Sequence, residues 1–242
     1  MLKLKVKFRT NISKTVNGVH SIRGRDIAEL ISTRSFSDVI FLLLRGDMPL
    51  SRERRLLEAL LVAATENGIE APSVFIPRIA ASTGASFEAA IASGMLAVGK
   101  HHGGAVRDAA ELLWQKKSPA AIVADFSKRK ASIPGFGHKL YKKEDPRAEA
   151  LYARAKALGF PCAYFKKARA IARLLEKKKG KALPLNVDGA IAAASLELGF
   201  DRRITGAFFL LSRIVGAAAH VHEELLQANT YHRLEAGDII SE

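Results

Sequence analysis

Two histidines and one aspartate, His102, His138 and Asp188, lie beside or close to glycine in three separate stretches of the chain. Glycine allows sharp turns and lets a ligand approach the backbone closely. Histidine and aspartate are among the side chains that transfer protons in catalysis near neutral pH. The three stretches are therefore candidate parts of one acid/base site, although each residue taken alone more often has a structural role.

His102 precedes two glycines at the predicted start of a helix. The positive end of a helix dipole disfavours the imidazolium ion, so a histidine there is expected to be neutral. A neutral imidazole can donate a hydrogen bond to a carbonyl oxygen that gains negative charge as an enolate forms. The neighbouring His101 is expected to point elsewhere, because adjacent helical residues face different directions.

Asp188 lies near the start of an apolar helix, where capping the helix is its commonest role. In a cleft with little water its pKa would instead be raised, and the carboxylate could remove a proton α to a carbonyl. His138, in a glycine-flanked loop, could hydrogen-bond a second carbonyl or hydroxyl. Arg147 and Arg213 could each bind a carboxylate through two hydrogen bonds, or could form ordinary surface ion pairs.

Helices must position these residues, because the chain from Ser35 onward has one helical pattern after another. Ser35 is a predicted N-cap with Asp38 three residues later, and Gly46 is a predicted stop. The next helix is expected to end at Asn67-Gly68. Further helices are predicted at Ser73–Ser82, Phe87–Val98 and His102–Trp114, and from Arg147, Phe165, Asp188 and Ile204 onward.

Three other stretches carry expectations of their own. The alternation of apolar and basic residues over Met1–Arg9 predicts a short strand and lacks the apolar run of a secretory signal. The run Glu176–Lys181 is expected to be a mobile loop. The apolar stretch 204–221 contains Arg213 and His220, so a buried helix is expected rather than a membrane span.

Charge is concentrated in one part of the chain. The 242 residues carry a net charge of +14, and residues 116–181, with 19 Lys and Arg against 5 Asp and Glu, hold all of it. Such a segment attracts polyanions, either nucleic acid or a phosphate-rich cofactor such as coenzyme A; a solvated lysine surface is an equal alternative. The single cysteine, Cys162, excludes an intramolecular disulfide and suits a cytoplasmic protein.

Taken together, the three stretches resemble the active-site motifs of the citrate synthase family, and the resemblance covers nearly the whole chain. The motifs are His102–Ala105, Pro134–Arg147 and Asn186–Asp188. The N-terminal half is more similar to citryl-CoA lyases and to the citryl-CoA lyase module of ATP-citrate lyase. The segments that carry this second similarity are Arg9–Lys14, Ile22–Gly24, Ser35-Phe36, Leu42–Leu44, Ala81–Ala85 and Lys100–Gly104.

The resemblance implies an all-α fold, a homodimer, and an active site in the cleft between two helical domains. Residues 1–105 with 201–242 would form the large domain, and residues 106–200 the small basic one. The small domain would then provide a lip that receives the phosphates of coenzyme A. The candidates for this lip are Lys128, Arg129, Lys130, Phe136, Gly137, Lys142 and Lys143.

The mechanism of the family, carried onto this sequence, gives each candidate a role. Asp188 would be the acid/base at the acetyl carbon, His102 would stabilise the enol, and His138 would contact the hydroxyl or keto oxygen. Arg147 and Arg213 would hold substrate carboxylates. The resemblance implies no metal and no permanently bound cofactor, since hydrogen-bond donors stabilise the developing charge and the coenzyme A thioester is itself a substrate.

Two positions qualify the resemblance. Where the family usually has Asp-His-Gly, this chain has Glu66-Asn67-Gly68. Asn67 can donate a hydrogen bond in substrate binding but carries no charge, so the identity of the 2-oxo acid stays open. Arg233 resembles a terminal arginine that in the family reaches the site of the neighbouring subunit.

The leading interpretation is a citryl-CoA lyase that produces acetyl-CoA and oxaloacetate. A citrate or 2-methylcitrate synthase is the alternative, because both kinds of enzyme share the enolisation chemistry. A helical polyanion-binding protein without catalysis ranks a distant third, because the chain shows no nucleic-acid motif. Small-molecule substrates, and neither membrane nor nucleic acid, are the expected partners.

Overall fold

The computed structural model describes residues 7–240, and their body is built from α-helices. The predicted all-α class is confirmed. The helices of this part of the chain are α1 Ile27–Thr33, α2 Phe36–Arg45, α3 Ser51–Ala63, α4 Pro72–Ser82, α5 Phe87–Leu96, α6 Ala105–Trp114, α7 Pro119–Lys128, α8 Pro146–Ala157, α9 Ala163–Lys179, α10 Val187–Glu197 and α11 Gly206–Gln227. Short 3-10 turns lie at Arg202–Ile204 and Ala236–Asp238.

A small antiparallel sheet precedes α1, in the order β1-β2-β3. Its strands are β1 Ser13–Val16, β2 Val19–Ile22 and β3 Arg25–Asp26. Asn17-Gly18 and Arg23-Gly24, the two tight turns between them, have positive φ at both residues, as two-residue hairpins of this kind require. The strand expected at Met1–Arg9 is wrong for residues 7–9, which are irregular, and residues 1–6 lie outside the described part.

The predicted limits of α2 are confirmed. The Ser35 hydroxyl accepts a hydrogen bond from the Asp38 amide at 3.2 Å, and the Asp38 carboxylate accepts one from the Ser35 amide at 3.0 Å. Gly46 ends the helix with φ of 102°. The predicted end of α3 is wrong by a few residues, because the helix stops at Ala63 and residues 64–68 form a turn.

The run Glu176–Lys181 is helical up to Lys179, so the expected mobile loop is wrong. Gly180 ends α9 in the left-handed conformation with φ of 65°. The lysines of this last turn lie at the negative end of the helix dipole, where positive charge stabilises a helix. These lysines therefore lie on a regular helix and not in a loop.

Helix α10 lies at the centre of the molecule. It is rich in alanine, is buried along nearly its whole length, and packs against α3, α6, α8 and α9. One apolar cluster joins side chains of α2 and α3 to those of α6 through α11. This continuous core runs through both predicted domains, so the division at residues 105 and 200 stays a prediction.

One helical stretch of the described chain, residues 202–227, is long and apolar enough to cross a membrane. It packs against α3, α4 and α5 and buries two charged residues, Arg213 and Glu224, each with 2% of its surface exposed. Buried charges that face neighbouring helices are typical of a packing helix. We therefore interpret α11 as a helix of the protein core, in agreement with the sequence.

Candidate active site

The loop that carries His102 is closed by short hydrogen bonds. Gly99 and His102 exchange backbone hydrogen bonds of 2.8 and 2.9 Å. Gly103 has φ of +75°, and a side chain there would collide with the ring of Phe209. The same ring packs edge-on against the His102 imidazole, with ring centres 5.6 Å apart. The loop therefore presents His102 in a fixed position just before α6.

The hydrogen bonds of His102 define which nitrogen carries its proton. Nε2 accepts a hydrogen bond from the Ser73 amide at 3.3 Å and lies 2.8 Å from the Ser73 hydroxyl. The proton is thereby assigned to Nδ1, which can donate to a ligand. The pKa of His102 is lowered, first by burial and then by the nearby Arg213 guanidinium. These two causes favour the neutral imidazole that the sequence predicts from the helix dipole.

The second and third motifs pack directly on each other. The amides of Gly137 and Asn186 donate to the carbonyl oxygens of Pro184 at 2.7 Å and Gly135 at 3.0 Å. The Asn186 side chain donates to the Gly137 carbonyl at 2.9 Å. Gly135 and Gly189 touch so closely that a side chain on either would collide with the backbone of the other. This close approach explains the glycines that mark both motifs.

His138 is held by the backbone of its own loop. Its Nδ1 accepts hydrogen bonds from the amides of Leu140 at 3.1 Å and Tyr141 at 3.2 Å. Because two amides donate to Nδ1, the proton is assigned to Nε2; the 3.3 Å approach of Nε2 to the Arg147 guanidinium, which can only donate, is then a close contact and not a hydrogen bond. Burial and then the charge of Arg147 lower the pKa of His138, against an opposing effect of Asp145. A neutral His138 can thus offer an N–H donor to an oxygen of a bound ligand.

Asp188 does not cap α10. The Asn186 side chain caps this helix by accepting from the Gly189 amide at 3.1 Å, so the capping alternative for Asp188 is wrong. Asp188 is half-buried, and burial raises the pKa of its carboxyl to about 6, although the charges of Arg147 and Arg213 oppose this rise. A carboxyl that titrates close to neutral pH is suited to proton transfer.

Arg147 is oriented by a buried carboxylate. Its Nε and Nη2 donate to the two oxygens of Asp145 at 3.0 and 2.9 Å. Asp145 also accepts from the Val187 amide at 2.9 Å, so it joins the second motif to the third. Arg147 Nη1 donates to the Asn67 side-chain oxygen at 2.5 Å. Asn67 and Arg147 therefore lie side by side, as binding of one carboxylate by both would require.

Arg213 is a buried cation, with 2% of its surface exposed. It donates to the Ala64 carbonyl at 3.0 Å and to the Ser73 hydroxyl at 3.2 Å, and its guanidinium lies 5.0 Å from the ring centre of Phe209. Within residues 7–240 no carboxylate forms an ion pair with it. A buried cation without a paired carboxylate is energetically costly, and this makes Arg213 a candidate binding group for an anionic ligand.

The candidates converge through the two arginines. Arg213 shares Ser73 with His102, Arg147 contacts His138, and both arginines affect the pKa of Asp188. Ser73 and Asp145 belong to this site although the sequence analysis did not select them. Nothing in the sequence near Ser73 indicates its role, whereas Asp145 lies within the second motif.

Four of the seven candidates for the basic lip line cavities beside the second motif, and the other three do not. Lys142 and Gly137 line a cavity of about 330 Å³ next to His138, and Lys130 and Phe136 line another of about 340 Å³. Lys181, which the sequence analysis did not select, lines both cavities.

The remaining lip candidates lie elsewhere. Arg129 pairs with Asp125 at 2.9 Å, Lys143 faces a groove beside Arg169, and Lys128 is exposed at the end of α7. Arg233 is exposed beyond α11, and no hydrogen bond found among residues 7–240 joins it to the three motifs.

Comparison with known proteins agrees with this arrangement. The family described as citrate synthase, C-terminal domain, matches residues 50–235. A Bacillus subtilis citrate/2-methylcitrate synthase is 33% identical over 204 residues, which are 80% of this chain and 54% of that protein. The chain belongs to the citrate synthase family. It spans about half the length of the curated relatives it matches.

Solved structures show the same fold. The citryl-CoA lyase from Hydrogenobacter thermophilus is 38% identical with a TM-score of 0.92, and the match covers 97% of this chain and 94% of that one. An ATP citrate lyase from Methanosaeta concilii in complex with (3S)-citryl-CoA has a TM-score of 0.90 at 22% identity. That match covers 100% of this chain and 42% of the other. The latter likeness concerns the fold alone.

Proposed function

We propose that this protein is a citryl-CoA lyase, which cleaves citryl-CoA to acetyl-CoA and oxaloacetate. The observation that carries the proposal is the match to a citryl-CoA lyase over 97% of this chain and 94% of that protein at 38% identity. Solved citrate synthases also match, but at lower identity and TM-score, 24% with 0.71 for one and 20% with 0.63 for another. Production of oxaloacetate from citryl-CoA is the experiment that tests the proposal.

Each residue of the site has a function in this reaction. The hydroxyl proton of citryl-CoA is released to solvent on the side where His138 contacts the hydroxyl oxygen, and the bond between the carbinol carbon and the acetyl carbon breaks. The electron pair of that bond passes into the enolate of acetyl-CoA, whose oxygen accepts a hydrogen bond from His102 Nδ1. Asp188 then protonates the acetyl carbon. Preorganised donors of this kind stabilise charge where it develops.

The carboxylates of the oxaloacetate portion require cationic partners. In the described part of the chain no carboxylate pairs with the buried Arg213. Two hydrogen bonds to Asp145 direct Arg147 toward Asn67. We assign one substrate carboxylate to each arginine. Asn67 adds a neutral donor where a histidine is usual in the family, and its side-chain oxygen is already used by Arg147.

A citrate or 2-methylcitrate synthase is the second candidate, and the similarity to the Bacillus subtilis citrate/2-methylcitrate synthase favours it. The two proposals share the enolisation step and differ in the fate of citryl-CoA. A synthase releases free coenzyme A from acetyl-CoA and oxaloacetate, whereas a lyase produces acetyl-CoA from citryl-CoA. Measuring both products with the same preparation separates them.

Lys142 and Lys181 are the basic residues that we assign to the phosphates of coenzyme A, because both line the cavity beside His138. Replacing both by Ala is expected to raise the KM for the thioester about tenfold, since each charged contact at an exposed site contributes roughly 0.5–1 kcal/mol. The control replaces two exposed lysines outside these cavities, Lys116 and Lys166, and should leave KM unchanged.

The same assignment predicts a dependence on the 3′-phosphate. The unmodified protein should bind coenzyme A more tightly than 3′-dephospho-coenzyme A, and the double variant of Lys142 and Lys181 should reduce that difference. Equal binding of the two compounds by the unmodified protein, measured by titration calorimetry, would refute the assignment.

The exposed surface of α11 suits a homodimer. Helix α11 exposes large apolar side chains at Leu211, Ile214, Val215 and Leu225, with Val215 59% exposed. Residues at these spacings lie along one side of a helix and form an apolar stripe. We propose that a second copy of the chain covers this stripe.

A mass measurement tests the dimer. Light scattering should give twice the chain mass of 26.2 kDa. Val215→Glu should shift the protein toward the single-chain mass, because a charge would be buried at the contact. Val62→Glu, at an exposed valine of α3, is the control and should remain a dimer. A single-chain mass for the unmodified protein would contradict the proposal.

A further inference from the structure

The turn between α3 and α4, residues 64–68, holds Asn67 next to Arg147; we call it the Asn67 turn. Helix α11 contacts this turn through Arg213, Gly216 and His220. Their spacing of three and four residues places them on one face of the helix. The three contacts fall on Ala64, Thr65 and Glu66, so α11 supports the first three residues of the turn.

The first two contacts involve the backbone of the turn. Arg213 donates to the Ala64 carbonyl at 3.0 Å. Gly216 lets the Thr65 carbonyl oxygen approach the helix so closely that a Cβ at position 216 would lie well inside 3.0 Å of that oxygen. These two contacts fix the backbone of Ala64 and Thr65, and thereby the position of the next residue, Glu66.

The third contact is an ion pair or hydrogen bond between side chains. His220 Nε2 lies 3.1 Å from Glu66 Oε1, and the other carboxylate oxygen of Glu66 accepts from the Gly68 amide at 2.7 Å. Burial tends to raise the pKa of Glu66, but hydrogen bonds from the amides of Gly68 and Asn67 and from His220 outweigh it and lower that pKa. The carboxylate bridges α11 to both residues that follow it.

Arg78 of α4 orients the imidazole from its other side. Its Nη1 lies 3.5 Å from His220 Nδ1, and it also pairs with Glu223 and with Glu224, the latter at 2.7 Å. Because a guanidinium can only donate, Nδ1 is the acceptor and Nε2 is the nitrogen that donates to Glu66. The direction of the His220–Glu66 hydrogen bond is thus set by a second buried charge.

We propose that His220 and Glu66 are positioning residues that hold Asn67 against Arg147 for binding the 2-oxo acid, with Gly216 providing the space that the turn needs. The inference rests on the proposed function, because it assigns Asn67 to the oxaloacetate portion of the substrate. It adds that a histidine on a different helix supports the position where the family usually carries its own histidine.

The test is oxaloacetate binding to the full chain by titration calorimetry, together with cleavage kinetics. His220→Ala should weaken oxaloacetate binding about fivefold to tenfold and raise the KM for citryl-CoA, while kcat stays within about twofold, since one hydrogen bond to a charged group is lost. His220→Gln, whose amide can still donate to Glu66, should recover most of the affinity. His222→Ala, an exposed histidine of the same helix, is the control and should bind as the unmodified protein does.

Gly216→Ala gives an independent variant, since it displaces the turn without removing a polar group. It should also weaken oxaloacetate binding, with the helical circular dichroism unchanged. Unchanged affinity in both His220→Ala and Gly216→Ala would overturn the inference, as would a loss of kcat without a change in affinity, or no oxaloacetate binding by the unmodified protein. If the protein binds oxaloacetate in a His220-dependent way but cleaves no citryl-CoA, the positioning role stands and the lyase proposal fails.

Discussion

Replacing Asp188 by Asn should lower the rate of citryl-CoA cleavage by about 10²–10⁴-fold, the usual contribution of a general acid or base. Asn has nearly the same shape but cannot deliver the proton that completes acetyl-CoA. The folded protein should be retained, because burial already penalises the charged carboxylate and raises its pKa to about 6. Asp47→Asn, at an exposed carboxylate, is the control and should leave the rate unchanged.

The pKa of Asp188 also predicts a pH dependence. Exchange of the methyl protons of acetyl-CoA with solvent requires the carboxylate, so its rate should fall as the pH decreases through about 6. Cleavage of citryl-CoA requires the carboxylic acid form of Asp188, so the cleavage rate should fall as the pH rises through about 6. Proton exchange can be followed by NMR in deuterated buffer. Full exchange activity in Asp188→Asn would exclude the assigned role.

Replacing His102 by Asn should lower the cleavage rate by about 10²–10³-fold, the range found for loss of one donor to a developing oxyanion. Nδ1 is the nitrogen that we assign to the enol oxygen, and the contact of Nε2 with Ser73 holds the ring in the required orientation. His101→Asn provides a matched control, because His101 is the adjacent residue and its side chain is exposed.

A variant of Ser73 tests whether this residue only orients the His102 ring or takes part in the chemistry itself. Ser73→Ala keeps the backbone N–H that donates to His102 Nε2 but removes the hydroxyl, which contacts both His102 and Arg213. Loss of the hydrogen bond to His102 should lower kcat about tenfold, because the ring loses its orientation in the transition state, and loss of the contact to Arg213 should also raise KM. A Ser73→Ala variant as inactive as His102→Asn would mean that the hydroxyl has a chemical role of its own.

Much of the site follows from the sequence because it rests on local rules. The glycines beside His102 and within the second motif indicated close backbone approaches, and Gly103 and Gly135 make such approaches. The capping pattern at Ser35 and Gly46 placed the ends of α2 correctly. These features depend on residues that are close together in the chain, so the sequence pattern alone predicts them.

Other parts could not be predicted because they depend on residues far apart in the chain. Ser73 contacts Arg213 and His102 only after α4, α6 and α11 pack together. His220 and Glu66 are separated by 154 positions. Lys181 belongs to the run Glu176–Lys181 that was interpreted as a mobile loop, whereas α9 continues to Lys179 and brings Lys181 to the cavities beside the second motif.

The position of Asn67 is the clearest example of this limit. The sequence showed that Asn67 stands where the family usually has histidine, and this left the identity of the 2-oxo acid undetermined. The structure adds that Asn67 lies against Arg147 and that its turn is supported by α11. The binding of a 2-oxo acid therefore depends on an arrangement of α3, α8 and α11 that no single segment contains.

The most direct test of the proposed lyase is a citryl-CoA cleavage assay, in which malate dehydrogenase and NADH report the oxaloacetate that forms. The account predicts rapid oxaloacetate formation by the unmodified protein and its loss in Asp188→Asn. A folded protein that binds coenzyme A but forms no oxaloacetate, or one that forms it equally well with Asn at position 188, would contradict the account.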